Sequence, residues 1–145
     1  MTEAERLLAI EEIKHVKARY FRCMDMKDWA GFYAVFAPDA SVDYSPAAPD
    51  SSDWKATGAA NVVALVRKVV ERAVSIHHGH MPEIEITSPG SARAIFAMED
   101  LIFWPEGSRH KTMHGWGHYH ETYEKIGGKW LIKTLKLTRL RVEQA

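Results

Sequence analysis

Residues 92–142, ARAIFAMEDLIFWPEGSRHKTMHGWGHYHETYEKIGGKWLIKTLKLTRLRV, decide the fold. Three runs, Ala92 to Trp104, Lys111 to Ile126 and Trp130 to Val142, mix apolar and polar residues with the period of a strand and are separated by PEGS and GG. A fourth run, His77 to Thr87, precedes them across SPGS. The breaks are rich in Gly, Pro and Ser and read as hairpin turns. Consecutive strands of this length rarely stay flat, so the sheet must curve around something.

What it curves around lies upstream. From Thr2 to Met24 the residues Leu7, Ile10, Ile13, Val16, Tyr20 and Met24 recur every three or four positions, with charged residues between them. This is the pattern of an amphipathic helix. Thr2 and Glu5 have the spacing of a capping box. Asp28 can cap a second, shorter helix carrying Trp29, Phe32, Tyr33 and Phe36, which Pro38-Asp39 ends. Ser41 to Ser45 reads as a short strand, PAAPDSSD as an exposed, mobile loop able to form a pocket mouth, and Gly58 to Arg72 as a third helix. Three helices followed by a long antiparallel meander predict an α+β domain over residues 1–145, with no internal repeat or linker.

Composition narrows the function. Lys plus Arg and Asp plus Glu number 19 each, so net charge is zero and no field favours nucleic acid or an anionic membrane. A small-molecule partner is the expectation. The single cysteine, Cys23, lies in a helical apolar pattern and suits a reducing, cytoplasmic setting. No run of about 18 apolar residues occurs, and the charged N-terminus has no signal-peptide pattern.

Against this background four polar residues stand out in apolar segments: Tyr20, Asp25, His77 and Asp100. Elimination beside an activated C–H needs a base near neutrality, a group that holds the base in one tautomer, and a donor for the developing oxyanion. His77, Asp25 and Tyr20 can take those parts in that order, and Asp100 can protonate a leaving hydroxyl if burial raises its pKa. Each also has a plain reading. Asp25 could end the first helix or cap the second, and Tyr20 could be a core aromatic. Asp100 shares its face with Phe96, Met98, Ile102 and Trp104, which predicts a buried carboxylate, while Glu99 points the other way; a bulge would exchange the two.

The stretches AIEEIKHVKARYFRCMDMKDWAGFYAVFAPDASVDY, SIHHGHMPEIEI and GHYHETYEKIGGKWLIKTLKLTRL resemble the SnoaL-like branch of the nuclear transport factor 2-like superfamily. The order of elements is similar to that of nuclear transport factor 2, ketosteroid isomerase, scytalone dehydratase and the SnoaL-type cyclases. The resemblance implies a cone-shaped α+β barrel whose deep, metal-free pocket uses an Asp and a His, as in bile-acid 7α-dehydratase, scytalone dehydratase and lindane dehydrochlorinase. Tyr20, Asp25, His77 and Asp100 match the spacing of the bile-acid enzyme's site residues, and Arg139 or Arg141 matches its arginine near the C-terminus. The implied activity is that of a cofactor-independent lyase of dehydratase type, or an isomerase. Related lyases are trimers and other cones dimers, so a homo-oligomer, trimer first, is the expectation.

Other features leave alternatives open. Leu135, Leu137, Arg139 and Arg141 alternate onto one face, where an arginine could anchor a substrate anion or pair with Asp100 or Glu99. Seven of the eight histidines cluster in HHGH and HKTMHGWGHYH. His118 and His120, with Glu124, have the form of half a cupin metal motif, but the flanking glycines are missing, and imidazoles paired with carboxylates are the preferred reading; no metal and no cofactor is expected. His118, with Trp116 on its face, is expected to line the pocket. Tyr33, Trp54, Phe96, Trp104 and Trp116 are expected to supply apolar walls for a hydrophobic, cyclic carbonyl or hydroxy compound. The competing reading is a non-catalytic binding or oligomerisation module of the same fold.

Overall fold

In the computed structural model, which describes residues 1–47 and 53–145, the chain opens with helix α1 (Glu3–Asp25) and the short helix α2 (Trp29–Tyr33). Strand β1 (Phe36–Asp43), a turn at Ser45–Ala47 and strand β2 (Lys55–Thr57) lead to helix α3 (Ala59–Val70). Strands β3 (Val74–Gly79), β4 (Glu83–Ser88), β5 (Ser91–Phe103), β6 (Thr112–Ile126) and β7 (Lys129–Gln144) complete it. The sheet runs β2-β1-β7-β6-β5-β3, with β4 also on β5; β1 pairs in parallel with β7 and the other pairings are antiparallel. Three helices packed on this curved, mixed sheet make the expected α+β cone.

Local chemistry sets the helix ends. The Thr2 hydroxyl accepts from the Glu5 N–H and the Glu5 carboxylate accepts from the Thr2 N–H, closing the capping box. At the other end Lys27 takes a left-handed backbone, φ 59, while its N–H reaches Met24 O and the Asp28 N–H reaches Cys23 O. That is a Schellman stop, with a lysine where glycine is usual. Asp28 then caps α2 through the Gly31 N–H at 3.0 Å.

Three features differ from the sequence reading. Phe36 opens β1 rather than closing α2, because β1 starts beside Ile132 of β7. The strand predicted from His77 to Thr87 is two strands that meet end to end along β5: His80 to Pro82 interrupts it, since Pro82 has no N–H for the ladder. β2, too short to show a period, was not expected. The centre of the predicted PAAPDSSD loop, 48–52, lies outside the described residues.

Two bulges in β7 decide which side chains face inward. Trp130 and Ile132 are buried; Lys133 is then skipped in the pairing with β6, and the inward set becomes Leu135, Leu137 and Arg139. A second bulge at Leu140 turns Arg141 out to solvent, where it pairs with Glu143. Arg141 therefore does not share the face of Arg139, because one extra residue inverts the alternation. The inner face of the sheet packs on Ile13, Val16, Tyr20 and Met24 of α1 and on Val62, Val66 and Val70 of α3. Each fully buried aliphatic side chain stabilises the fold by about 1.5–3 kcal/mol.

Candidate active site

Between α3, the end of α1 and the sheet lies a cavity of about 390 Å³. Its walls include Trp54, Leu65, Val66, Val69, Trp104 and Leu137. Its polar end is formed by the buried Tyr20, His77, Asp100 and Tyr119 and the half-buried Tyr44 and Arg139.

The pairing of β3 with β5 puts His77 directly opposite Asp100, both side chains inward. Asp25 comes from the last turn of α1. A carboxylate there faces the negative end of the helix dipole, which is unfavourable alone. Three donors from β3 offset this: the Ser75 hydroxyl at 2.9 Å, the His77 N–H at 2.8 Å and His77 Nδ1 at 2.6 Å. Lys27 Nζ donates in turn to Ser75 Oγ at 2.8 Å, which gives the left-handed lysine a purpose that glycine could not serve. Burial lowers the Lys27 pKa, partly opposed by Asp25. Asp25 is the last residue of α1 but does not cap α2, which Asp28 does; the Asp25 side chain holds an imidazole.

With Nδ1 committed to Asp25, His77 turns Nε2 toward the cavity, 3.8 Å from Asp100 Oδ2. The ring is held flat by Phe21, stacked with its centroid 6.3 Å away. The His77 side chain is 5% exposed, so this nitrogen is shielded from bulk water. Asp100 receives both guanidinium nitrogens of Arg139, at 2.7 and 3.0 Å. A carboxylate whose two oxygens both accept from one guanidinium is committed as an acceptor, which does not fit the proton-donor part first considered for it. Its neighbour Glu99 is on the outer face, as alternation predicts.

Gly115, opposite Asp100 on β6, makes room for this ion pair: a Cβ there would lie 2.6 Å from Asp100 Oδ1 and closer still to Arg139. The glycines in HGWGH are spaces for the pair and for the Thr138 carbonyl, which a Cβ at position 117 would strike.

The Tyr20 hydroxyl lies 2.6 Å from that of Tyr44. Burial raises both phenols far above their ordinary range, so both are O–H donors at any physiological pH. Under the Tyr20 and Tyr119 rings sits Lys17, its Nζ 3.6 and 3.5 Å from the two centroids and 2.6 Å from Glu121. Burial brings this ammonium down to about 8, against the opposing pull of Glu121. The Tyr123 hydroxyl completes the coordination of Glu121.

The structure brings Tyr20, His77, Asp100, Arg139 and Trp54 to one cavity, with Asp25 directly behind His77. It does not bring Trp116 or His118. Inward positions on β6 are odd, Met113 to Tyr123, so both residues project from the outer face. Trp116 stacks on His114 at 3.8 Å and His118 lies beside His120. Their expected place in the pocket is corrected by this parity. Tyr33 is exposed and Phe96 packs in the core, leaving Trp54 and Trp104 as the large aromatic walls. Of the cupin-like set, Glu124 pairs with Lys133 at 3.5 Å. Tyr44, Tyr119, Ser75 and Lys27 were missed by sequence reasoning; Tyr44, at the end of the short strand, was the one with a visible signal.

Among the described residues no helix is long and apolar enough to cross a membrane. The SnoaL-like domain model matches residues 5–136. Probable cyclase FGR4 of Gibberella zeae is 30% identical over 139 residues, covering 88% of this chain and 89% of that protein. Among solved structures, a candidate scytalone dehydratase from Novosphingobium aromaticivorans DSM 12444 is similar with TM-score 0.85 and 19% identity, over 99% of this chain and 92% of that one. Hexachlorocyclohexane dehydrochlorinase LinA-type3 from Novosphingobium barchaimii LL02 is similar with TM-score 0.83 and 18% identity, over 99% and 94%. These structures share the cone, and the sequence match carries more than the fold: the chain belongs to the SnoaL-like domain family.

Proposed function

We propose that this protein is a cofactor-independent lyase of dehydratase type, or an isomerase, acting on a hydrophobic cyclic carbonyl or hydroxy compound. The observation that carries the reading is the 2.6 Å contact between Asp25 and His77 Nδ1 with Nε2 facing a shielded cavity. His77 Nε2 takes a proton from carbon next to the substrate carbonyl; the C–H electron pair forms a C=C bond to the carbonyl carbon and the carbonyl π pair moves onto oxygen. Asp25 fixes the tautomer and stabilises the imidazolium that forms. Tyr20, backed by Tyr44, donates to the oxygen that gains charge. In an elimination the electrons expel hydroxide from the next carbon, and the imidazolium or the tyrosine pair returns a proton to release water. In an isomerisation the same proton goes back to a different carbon. Asp100, clamped by Arg139, faces Nε2 at 3.8 Å.

The relatives support the class: one bears the name cyclase and another acts as a hexachlorocyclohexane dehydrochlorinase. The test is a screen of ketosteroids, hydroxyacyl thioesters and aromatic diols for an absorbance change, repeated with His77→Ala. Turnover should vanish while the melting temperature stays nearly the same. Undiminished turnover would refute the role given to His77, and ligand binding without turnover on any compound would establish the binding-module reading instead. The same reading carries a homo-oligomer, trimer before dimer, because Val74, Ile76, Ile95 and Phe103 leave apolar surface exposed. A single-protomer mass in sedimentation would refute that part.

A further inference from the structure

The cavity's charge is distributed unevenly. Among the described residues its one lining carboxylate is Asp100, and that group is fully used by Arg139 at the buried end. The middle is apolar: Leu65, Val66, Val69, Ile102, Met113 and Leu137. At the rim stand two exposed cations, Lys68 on α3 and Arg109 on the β5–β6 connection. Among the described residues neither has a carboxylate within ion-pair distance, whereas the adjacent Arg67 is held by Glu71 at 2.7 Å. The rim is braced, since Trp104 Nε1 donates to Val69 O at 3.1 Å and the Trp104 N–H to Lys111 O at 2.9 Å, tying the two segments that carry the cations.

For a chain of zero net charge, two uncompensated cations facing one opening are a local field. An anion would not settle at the deep end, beside Asp100 and away from water, where burial of a second negative charge is costly. It can settle at the mouth, partly hydrated, against Lys68 and Arg109.

We propose that Lys68 and Arg109 select a substrate with an anionic group: a flat apolar molecule whose ring reaches His77 while one carboxylate or phosphate stays at the mouth. The proposal rests on the acid/base reading of the same cavity and narrows its substrate class.

The experiment is displacement of the fluorescent probe N-phenyl-1-naphthylamine by 2-naphthoate, 2-naphthyl phosphate and neutral 2-naphthol. It compares the wild-type protein with the double variant Lys68→Gln/Arg109→Gln. Both anions should lose affinity in the variant, by about two- to thirtyfold for two solvent-exposed ion pairs. 2-Naphthol should be unaffected, and wild-type affinity for the anions should fall as salt is raised. A larger loss for the phosphate identifies the dianion as the preferred group, and a larger loss for the naphthoate identifies a carboxylate. Equal losses for all three ligands, or none for the anions, would overturn the proposal; matching melting curves exclude a folding artefact. Turnover plays no part in this measurement, so an inactive protein with charge-dependent binding would refute the acid/base reading alone. An active one without it would refute this inference alone.

Discussion

His77 and His78 are neighbours on β3, and the residues opposite them on β5 are Asp100 and Glu99. The two pairs use the same chemistry one residue apart and end in different surroundings. Inside, His77 is closed between Asp25 and Asp100, and Asp100 is clamped by Arg139. Outside, Glu99 lies among His78, His80 and His114 at 3.5, 3.7 and 3.0 Å, with side chains partly or largely open to water. The lesson is that a histidine beside a carboxylate means little until the face is known. In water such a pair is screened and the side chains wander; behind a wall of protein the same contact fixes a tautomer.

The comparison can be broken most sharply by activity. Asp25→Asn should lower kcat by about 10²- to 10⁴-fold on any substrate found, the range of a positioned acid/base contribution, while Glu99→Gln leaves it unchanged. Equal effects would erase the distinction between the faces. Stability is the next probe. Arg139→Met leaves Asp100 buried without its partner and should cost about 3–5 kcal/mol in urea unfolding. Arg141→Met, on the solvent side of the Leu140 bulge, should cost far less. A smaller effect is expected from Gly115→Ala, whose methyl must displace the Arg139–Asp100 pair, at about 1–3 kcal/mol.

The smallest effect concerns acid. The hydrogen bond from His114, then burial in opposition, then His78, leaves the Glu99 carboxyl below its ordinary value of 4.5. A carboxylate with a depressed pKa in the fold contributes stability that is present above 4.5 and lost as pH falls through the lowered value. Glu99→Gln should therefore lower the melting temperature slightly at neutral pH and make no difference in stronger acid. A difference that persists there would show that Glu99 acts through packing.

Much of this was legible before any coordinates. The period of Ala92 to Trp104 placed Asp100 on the buried face and Glu99 on the other, because no bulge interrupts β5 between them. Thr2 and Glu5 announced the start of α1, and Asp28 that of α2. The errors have physical causes too. Trp116 and His118 were assigned to the pocket by residue type, whereas the hairpin register with β5 puts the odd positions of β6 inward. Arg141 was placed with Arg139 because a bulge leaves no mark in apolar periodicity, and Leu140 looks like any other strand residue. The Lys17–Glu121 pair was invisible because its partners lie 104 positions apart, and a helical lysine ordinarily faces water.

Pattern and composition by themselves determined the helices, most of the strands, the curved α+β architecture and a short set of polar residues too costly to bury without reason. Those are local quantities, written in the spacing of side chains along one segment. Only the tertiary structure decided that Asp25 reaches the imidazole of His77, that Arg139 is consumed by Asp100, and that the rim cations have no partner among the described residues. Each depends on register, bulges and the meeting of segments far apart in the chain, where one residue of slip reverses every face.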